Sequence, residues 1–148
     1  MVALVNMSVQ LKLIQLNIEW DRHLDAVTNF LATEKPDVAC LEEVLETNIP
    51  LLEKALGATC LFAPVSRLTS RGHEEIEGVG IFSRLPITRS GVEYYAGPAS
   101  CDAVLDLKNP ETTHRTRCCT LPWCEVEKEK ERFTIAATHF TWTPDGQP

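Results

Sequence analysis

Two short runs, GVGIFS at residues 78–83 and FTIAA at residues 133–137, set the tightest limit on the fold, because apolar residues fill almost every position in them. Side chains alternate between the two faces of a strand, so strands that are apolar on both faces need a covering layer on each. That requirement suits burial between a sheet and helices, and the chain supplies the matching patterns. Residues 11–18 alternate apolar and polar side chains as a half-buried strand does, and Leu24, Val27, Phe30 and Leu31 then recur at helical spacing. Lys35 and Pro36 stop that helix, and residues 37–41 read as a short buried strand. Ile49, Leu52 and Leu56, with Gly57 just beyond, predict a second helix ending on a glycine. Residues 60–65 read as another strand, and residues 78–83 and 87–95 as two more joined at Leu85-Pro86. Residues 116–126 and 133–141 read as a hairpin across the charged turn EKEKER. The polar segment 67–78, with Glu74, Glu75 and Glu77, reads as a solvated loop, and residues 97–113 as irregular with a short edge strand near 104–107. No repeat, low-complexity stretch or linker-like change of composition interrupts this order, so one α/β domain spanning residues 1–148 is expected.

The formal charge of −7 gives no blanket attraction to nucleic acid or to an anionic membrane, and so leaves a phosphate-bearing substrate open. The six cysteines (Cys40, Cys60, Cys101, Cys118, Cys119 and Cys124) form no CxxC pair, and most lie in strand-like apolar runs. They read as free structural thiols rather than zinc ligands, which points to a reducing, cytoplasmic compartment. The apolar start MVALVNMSVQLKLIQL has no basic leader and no small-residue cleavage site, and breaks into strand-like alternation, so neither a signal peptide nor a transmembrane segment is expected. Met7 is an alternative initiator.

Three polar residues stand at the C-terminal ends of predicted strands, where functional groups gather in open α/β sheets: Asn17 after LKLIQL, Glu43 in DVACLEEV, and His139 in FTIAATHF. Taken singly, each has an ordinary structural role as a turn cap, a solvated acid or a satisfied strand histidine. Together they suit one chemistry. A carboxylate beside an amide oxygen is a hard-oxygen setting for Mg²⁺ or Mn²⁺, and a nearby imidazole suits contact with a phosphoryl oxygen. The adjacent acids Glu42 and Glu43 are expected to point opposite ways on the strand, one inward and one to solvent.

The pieces LKLIQLNIEW, FLATEKPDVACLEEV, GVGIFSRLPI and FTIAATHFTW, in this order, resemble the endonuclease/exonuclease/phosphatase superfamily over nearly the whole chain. The combination of PDV-x-x-L-x-E-V with G-x-x-I-x-S-R-x-P-I is specific. The resemblance implies a metal-dependent phosphoesterase, nuclease-like or phosphatase-like, acting on a phosphate-ester substrate that includes nucleic acid among its options. It implies that Glu43 is the metal ligand and that Asn17 lies near both metal and phosphate. His139 would contact or protonate the phosphate. Glu77 occupies the place where some relatives keep an acid paired to that histidine, while Arg84 and Arg117 match as structural ion partners. Glu42 stands where the family usually has Gln.

The family pattern continues with D-x-N and S-D-H motifs that this sequence does not show; Asp145 lies in a turn-like P-D-G and does not replace them. The expected architecture is therefore α/β, the first half of a two-sheet, deoxyribonuclease I-like sandwich: a mixed sheet with helices on one face and its other face uncovered. An uncovered face predicts self-association, and the missing motifs predict an N-terminal fragment inactive alone. The alternative is a catalytically dead binding or assembly module that keeps the superfamily shell.

Overall fold

The computed structural model describes residues 9–70, 73–97, 104 and 118–140. Two β-sheets face each other, and two helices cover the outer face of the first. The first sheet holds β1 (Leu13–Asn17), β2 (Val38–Leu45), β3 (Thr59–Ser70) and β4 (His73–Ser83) in the order β1-β2-β4-β3. It is mixed: β1 runs parallel to β2, as a strand–helix–strand crossover requires, and the other pairs are antiparallel. The crossover is α1 (Leu24–Glu34), and α2 (Ile49–Leu56) follows a 3₁₀ turn at Glu46–Asn48. Gly57 ends α2 at φ 60, the left-handed conformation its missing side chain permits. The second sheet is the antiparallel order β5-β6-β7, formed by β5 (Ile87–Ala96), β6 (Cys119–Lys128) and β7 (Glu131–Ala136).

The periodicities in the sequence translate into two hydrophobic layers. On the helix side, Ala39, Leu41, Val44 and Phe82 of the first sheet meet Val27 and Leu31 of α1 and Leu52 and Leu56 of α2. On the other side, Val38, Cys40, Val65, Val79 and Ile81 meet Cys124 and Val126 of β6, Ile135 of β7, and Ala137 just beyond it. The run at residues 78–83 is buried at every position, as its two apolar faces require. The second run differs: Ile135 and Ala137 are buried, but Thr134 and Ala136 are exposed, so only one face of β7 is covered. The first sheet is not left bare either. Its inner face is covered by the second sheet, which removes the physical reason for expecting association through that face.

Residues 67–78 correct a second expectation. Residues 67–70 and 73–78 form paired ends of β3 and β4, with Arg67 paired to Ile76, Leu68 to Glu75 and Thr69 to Glu74. The surface charges hid the alternation, but Leu68 is buried with Leu45 beneath Trp20, and that contact anchors the extension. Val104 bridges to Arg67, while the rest of the predicted edge strand, together with Cys101, Arg117 and Asp145, lies outside the described residues.

Asp37 ties the layers together. Its carboxylate accepts from the Lys12 backbone N–H at 2.8 Å and from Lys128 Nζ at 2.7 Å, and its carbonyl accepts from the Arg84 N–H at 3.0 Å. Lys128 also donates to the Gln10 carbonyl at 2.8 Å, so the β6–β7 hairpin is fixed to the start of β1. Partial burial works against ionisation of Asp37, but the Lys128 ammonium and the Lys12 N–H outweigh it and hold the carboxyl below its ordinary value.

Candidate active site

The site is built on an irregularity in β2. Leu41 pairs with Gly80 and Val44 with Gly78, so Glu42 and Glu43 together face the single residue Val79. This bulge inserts one residue, which is why Leu41 and Val44, three positions apart, both reach the helix-side core. Glu43 takes up the distortion with a left-handed backbone at φ 57. Gly78, opposite Val44, is held to glycine from its other neighbour: a Cβ there would lie 2.2 Å from the Ala63 carbonyl oxygen of β3. The expectation that the two acids point opposite ways assumed unbroken alternation, and the bulge removes it.

Both carboxylates consequently flank one imidazole. His139 Nε2 lies 3.7 Å from Glu43 Oε1 and 3.9 Å from Glu42 Oε2. The three side chains keep between 14% and 17% of their surface exposed, closed enough to strengthen electrostatics yet open to a small ligand. His139 sits just past β7, where the Ala137 N–H donates to the Pro122 carbonyl at 3.1 Å and the Thr138 and Tyr95 hydroxyls are 2.9 Å apart. Gln15 Nε2 donates to Glu42 Oε1 at 2.8 Å, which leaves Glu42 oriented from β1.

Asn17 closes β1 opposite Glu42 in the parallel register. Its Oδ1 accepts from the Glu19 N–H at 3.0 Å, which fixes the side chain of this exposed residue. The turn that follows is stitched to the bulge: the Ile18 N–H donates to the Glu42 carbonyl and the Trp20 N–H to the Glu43 carbonyl, each at 3.1 Å. The expected trio of Asn17, Glu43 and His139 thus lies on adjoining strand ends, with Glu42 as a fourth member.

Glu77 is placed differently. It is buried on β4 opposite Leu45, accepting from Trp20 Nε1 at 2.5 Å and from Ser66 Oγ at 2.6 Å. The carboxylates within 4 Å of His139 Nε2, among the described residues, are those of Glu42 and Glu43. Ser66 lies outside the family-like pieces, and Gln15 and Trp20 lie within one without a role being implied for them. A tryptophan in an otherwise polar turn directly after Asn17 was the available signal. Arg84 sits at the β4–β5 corner, where Nη1 donates to the Lys35 carbonyl at 3.3 Å, a structural role.

Hard oxygen donors of Glu42, Glu43 and Asn17 suit Mg²⁺ or Mn²⁺, which keep most of their waters and need one or two protein carboxylates. Among the described residues no group of three or more His, Cys, Asp or Glu side chains is placed to hold a metal ion. Three of the described thiols offer no alternative site. Burial pushes Cys40 and Cys60 up to about 12, and raises Cys124 as well, so these cysteines stay neutral and serve as packing.

A model described as the Endonuclease/Exonuclease/phosphatase family matches residues 14–146. Curated protein sequences give no significant match. Among solved structures, an endonuclease/exonuclease/phosphatase family protein from Leptotrichia buccalis C-1013-b superposes with a TM-score of 0.65 at 14% identity, covering 89% of this chain and 54% of its own. The human nocturnin catalytic domain with bound sulfate anion gives 0.63 at 19% identity, with coverages of 90% and 51%. ANGEL2, a 2′,3′-cyclic phosphatase, gives 0.60 at 15%, with coverages of 90% and 42%. The chain spans about half the length of these structures.

Proposed function

The chain belongs to the endonuclease/exonuclease/phosphatase family, and from that premise we propose that Glu42, Glu43, Asn17 and His139 form the cation and phosphate end of a phosphoesterase site. The observation that carries the reading is the bulge that brings two carboxylates to one imidazole at 3.7 and 3.9 Å. Glu43, with Glu42 beside it, would hold Mg²⁺ or Mn²⁺, which would supply Lewis-acid polarisation of a phosphoryl oxygen and offset charge developing there. The Asn17 amide, fixed through its own oxygen, donates to a second phosphoryl oxygen and aligns the ester for in-line attack by water. His139 keeps a proton at Nε2 beside the position where the phosphate bears its charge, and stabilises or protonates it.

The substrate is a phosphate ester, with nucleic acid among the candidates. A sulfate held by the nocturnin domain and the cyclic phosphatase activity named for ANGEL2 are consistent with tetrahedral oxyanions on this fold. The chain's charge of −7 places recognition in local contacts rather than in a broad basic surface. No helix among the described residues is long and apolar enough to cross a membrane, and buried neutral thiols support a reducing, cytoplasmic setting. None of the described site groups is left over to activate the water, so slow or absent turnover is expected of these 148 residues alone.

The test is Mg²⁺- or Mn²⁺-dependent hydrolysis of a generic phosphodiester, measured on this chain and on a longer protein carrying downstream sequence. In the active species Glu43→Gln and His139→Ala lower kcat/KM by about two orders of magnitude or more, whereas Glu42→Gln, which restores the usual family residue, is tolerated. Equal losses from Glu42→Gln and Glu43→Gln contradict this division of roles. Turnover indifferent to Glu43→Gln contradicts the site.

A further inference from the structure

Three non-glycine residues around the site, Glu19, Trp20 and Glu43, hold left-handed backbones with φ of 50, 62 and 57. L residues adopt that conformation at a cost, and it persists where the surroundings over-determine it. The constraints converge on Trp20. Its N–H is hydrogen-bonded to the Glu43 carbonyl, its indole N–H to the Glu77 carboxylate, and its ring rests on Leu45 and Leu68. Glu77 is 1% exposed and is braced from the other side by the hydroxyl of Ser66, itself fully buried. A carboxylate in such a place is an expensive way to stabilise a hairpin, because well-packed apolar groups serve as well or better. Its presence calls for a role that an apolar side chain would not fill.

We propose that Glu77 and Trp20 act as a clamp that sets the geometry of the site, with Glu77 a positioning residue. Glu77 fixes the indole, the indole fixes the backbone of Trp20, and the Trp20 N–H fixes the Glu43 carbonyl within the bulge. The direction of the Glu43 carboxylate follows from that backbone. The same turn carries the Glu19 N–H that holds the Asn17 amide, so one anchor on β4 orients groups from β1 and β2 together. The proposal rests on the functional reading above in one respect: the groups it positions are those assigned to cation and phosphate.

The experiment compares Trp20→Phe, Glu77→Leu and Glu77→Gln in the full chain by ¹H–¹⁵N NMR, first without metal and then with increasing Mn²⁺. Trp20→Phe deletes the indole N–H together with the pyrrole half of the ring while keeping an aromatic group against Leu45 and Leu68; Glu77→Gln keeps an acceptor for the indole. Trp20→Phe and Glu77→Leu are expected to displace the backbone amide signals of Asn17, Ile18 and Glu43. They should also raise the Mn²⁺ concentration that broadens Glu43 by about tenfold, the equivalent of one hydrogen bond to a charged group. Glu77→Gln should stay within about threefold of wild type. If Glu77→Leu does not fold, Trp20→Phe decides. Wild-type amide positions and an unchanged Mn²⁺ midpoint in Trp20→Phe overturn the clamp, even if its unfolding midpoint falls. Absence of Mn²⁺ broadening at Glu43 in the wild type refutes the cation site instead. The clamp then stands if Trp20→Phe displaces the metal-free signals of Asn17 and Glu43, and falls if it does not.

Discussion

Replacing Glu43 by glycine should destroy the site yet leave the chain more stable than replacing it by alanine. Both variants lose the negative charge, the packing of the side-chain methylenes and the 3.7 Å approach to His139, leaving the backbone as the main difference between them. At φ 57 a non-glycine residue carries about 1–2 kcal/mol of strain, which Ala keeps and Gly sheds. Against that stands the larger conformational freedom glycine gives the unfolded chain, about 0.5–1 kcal/mol. The balance leaves Glu43→Gly more stable than Glu43→Ala by about 0–1.5 kcal/mol, a rise in Tm of up to roughly 6 °C for a chain of this size. Urea unfolding at neutral pH, followed by far-ultraviolet circular dichroism, reads the difference directly. A Gly variant less stable than the Ala variant would refute the reasoning, because the bulge would then be a relaxed conformation and not one held for the sake of the site.

Asp37→Asn should destabilise the chain by about 1–3 kcal/mol at neutral pH, through the weakened tie to Lys128 and Lys12, as measured by urea unfolding. Because the folded carboxyl titrates below its unfolded value of 3.8, that contribution is present above pH 4 and is lost as pH falls through the folded value, so the gap between wild type and variant should close in acid. Gly78→Ala should cost about 3 kcal/mol or prevent folding, since the new methyl meets the Ala63 carbonyl oxygen, which is backbone and cannot swing away; the unfolding midpoint checks it. Cys40 and Cys124, buried and held neutral, should resist a maleimide until the chain unfolds, which mass spectrometry of the labelled protein will show.

Much of this arrangement was legible in the sequence because it rests on periodicity and on stop signals. The alternation in residues 11–18, the helical spacing of Leu24, Val27 and Leu31, and Gly57 after Leu56 each mark an element present in the structure. What escaped was whatever depends on a partner distant in sequence. The β3–β4 extension is carried by Leu68 packing with Leu45 and Trp20, a contact no local pattern announces. The bulge at Glu42 and Glu43 has no glycine of its own to mark it, and Gly78 opposite answers to the Ala63 carbonyl of β3 instead. Asn17, Glu43 and His139 were expected from motif and from their place at strand ends, and they lie on adjoining strand ends. Glu42 joins them only because the strand breaks its alternation, and the contacts of Glu77 with Trp20 and Ser66 follow from a three-strand register that a single sequence does not reveal.

The central claim is that the bulge, the end of β1 and the residue after β7 assemble one cation site. Paramagnetic Mn²⁺ titrated into the ¹⁵N-labelled wild-type chain tests it without requiring turnover. The amide signals of Asn17, Glu42, Glu43 and His139 should broaden first and together, and Glu43→Gln should abolish the effect while excess Mg²⁺ reverses it in the wild type. Broadening that begins instead at the acidic hairpin around Glu74 and Glu75, or that survives Glu43→Gln unchanged, would contradict the account.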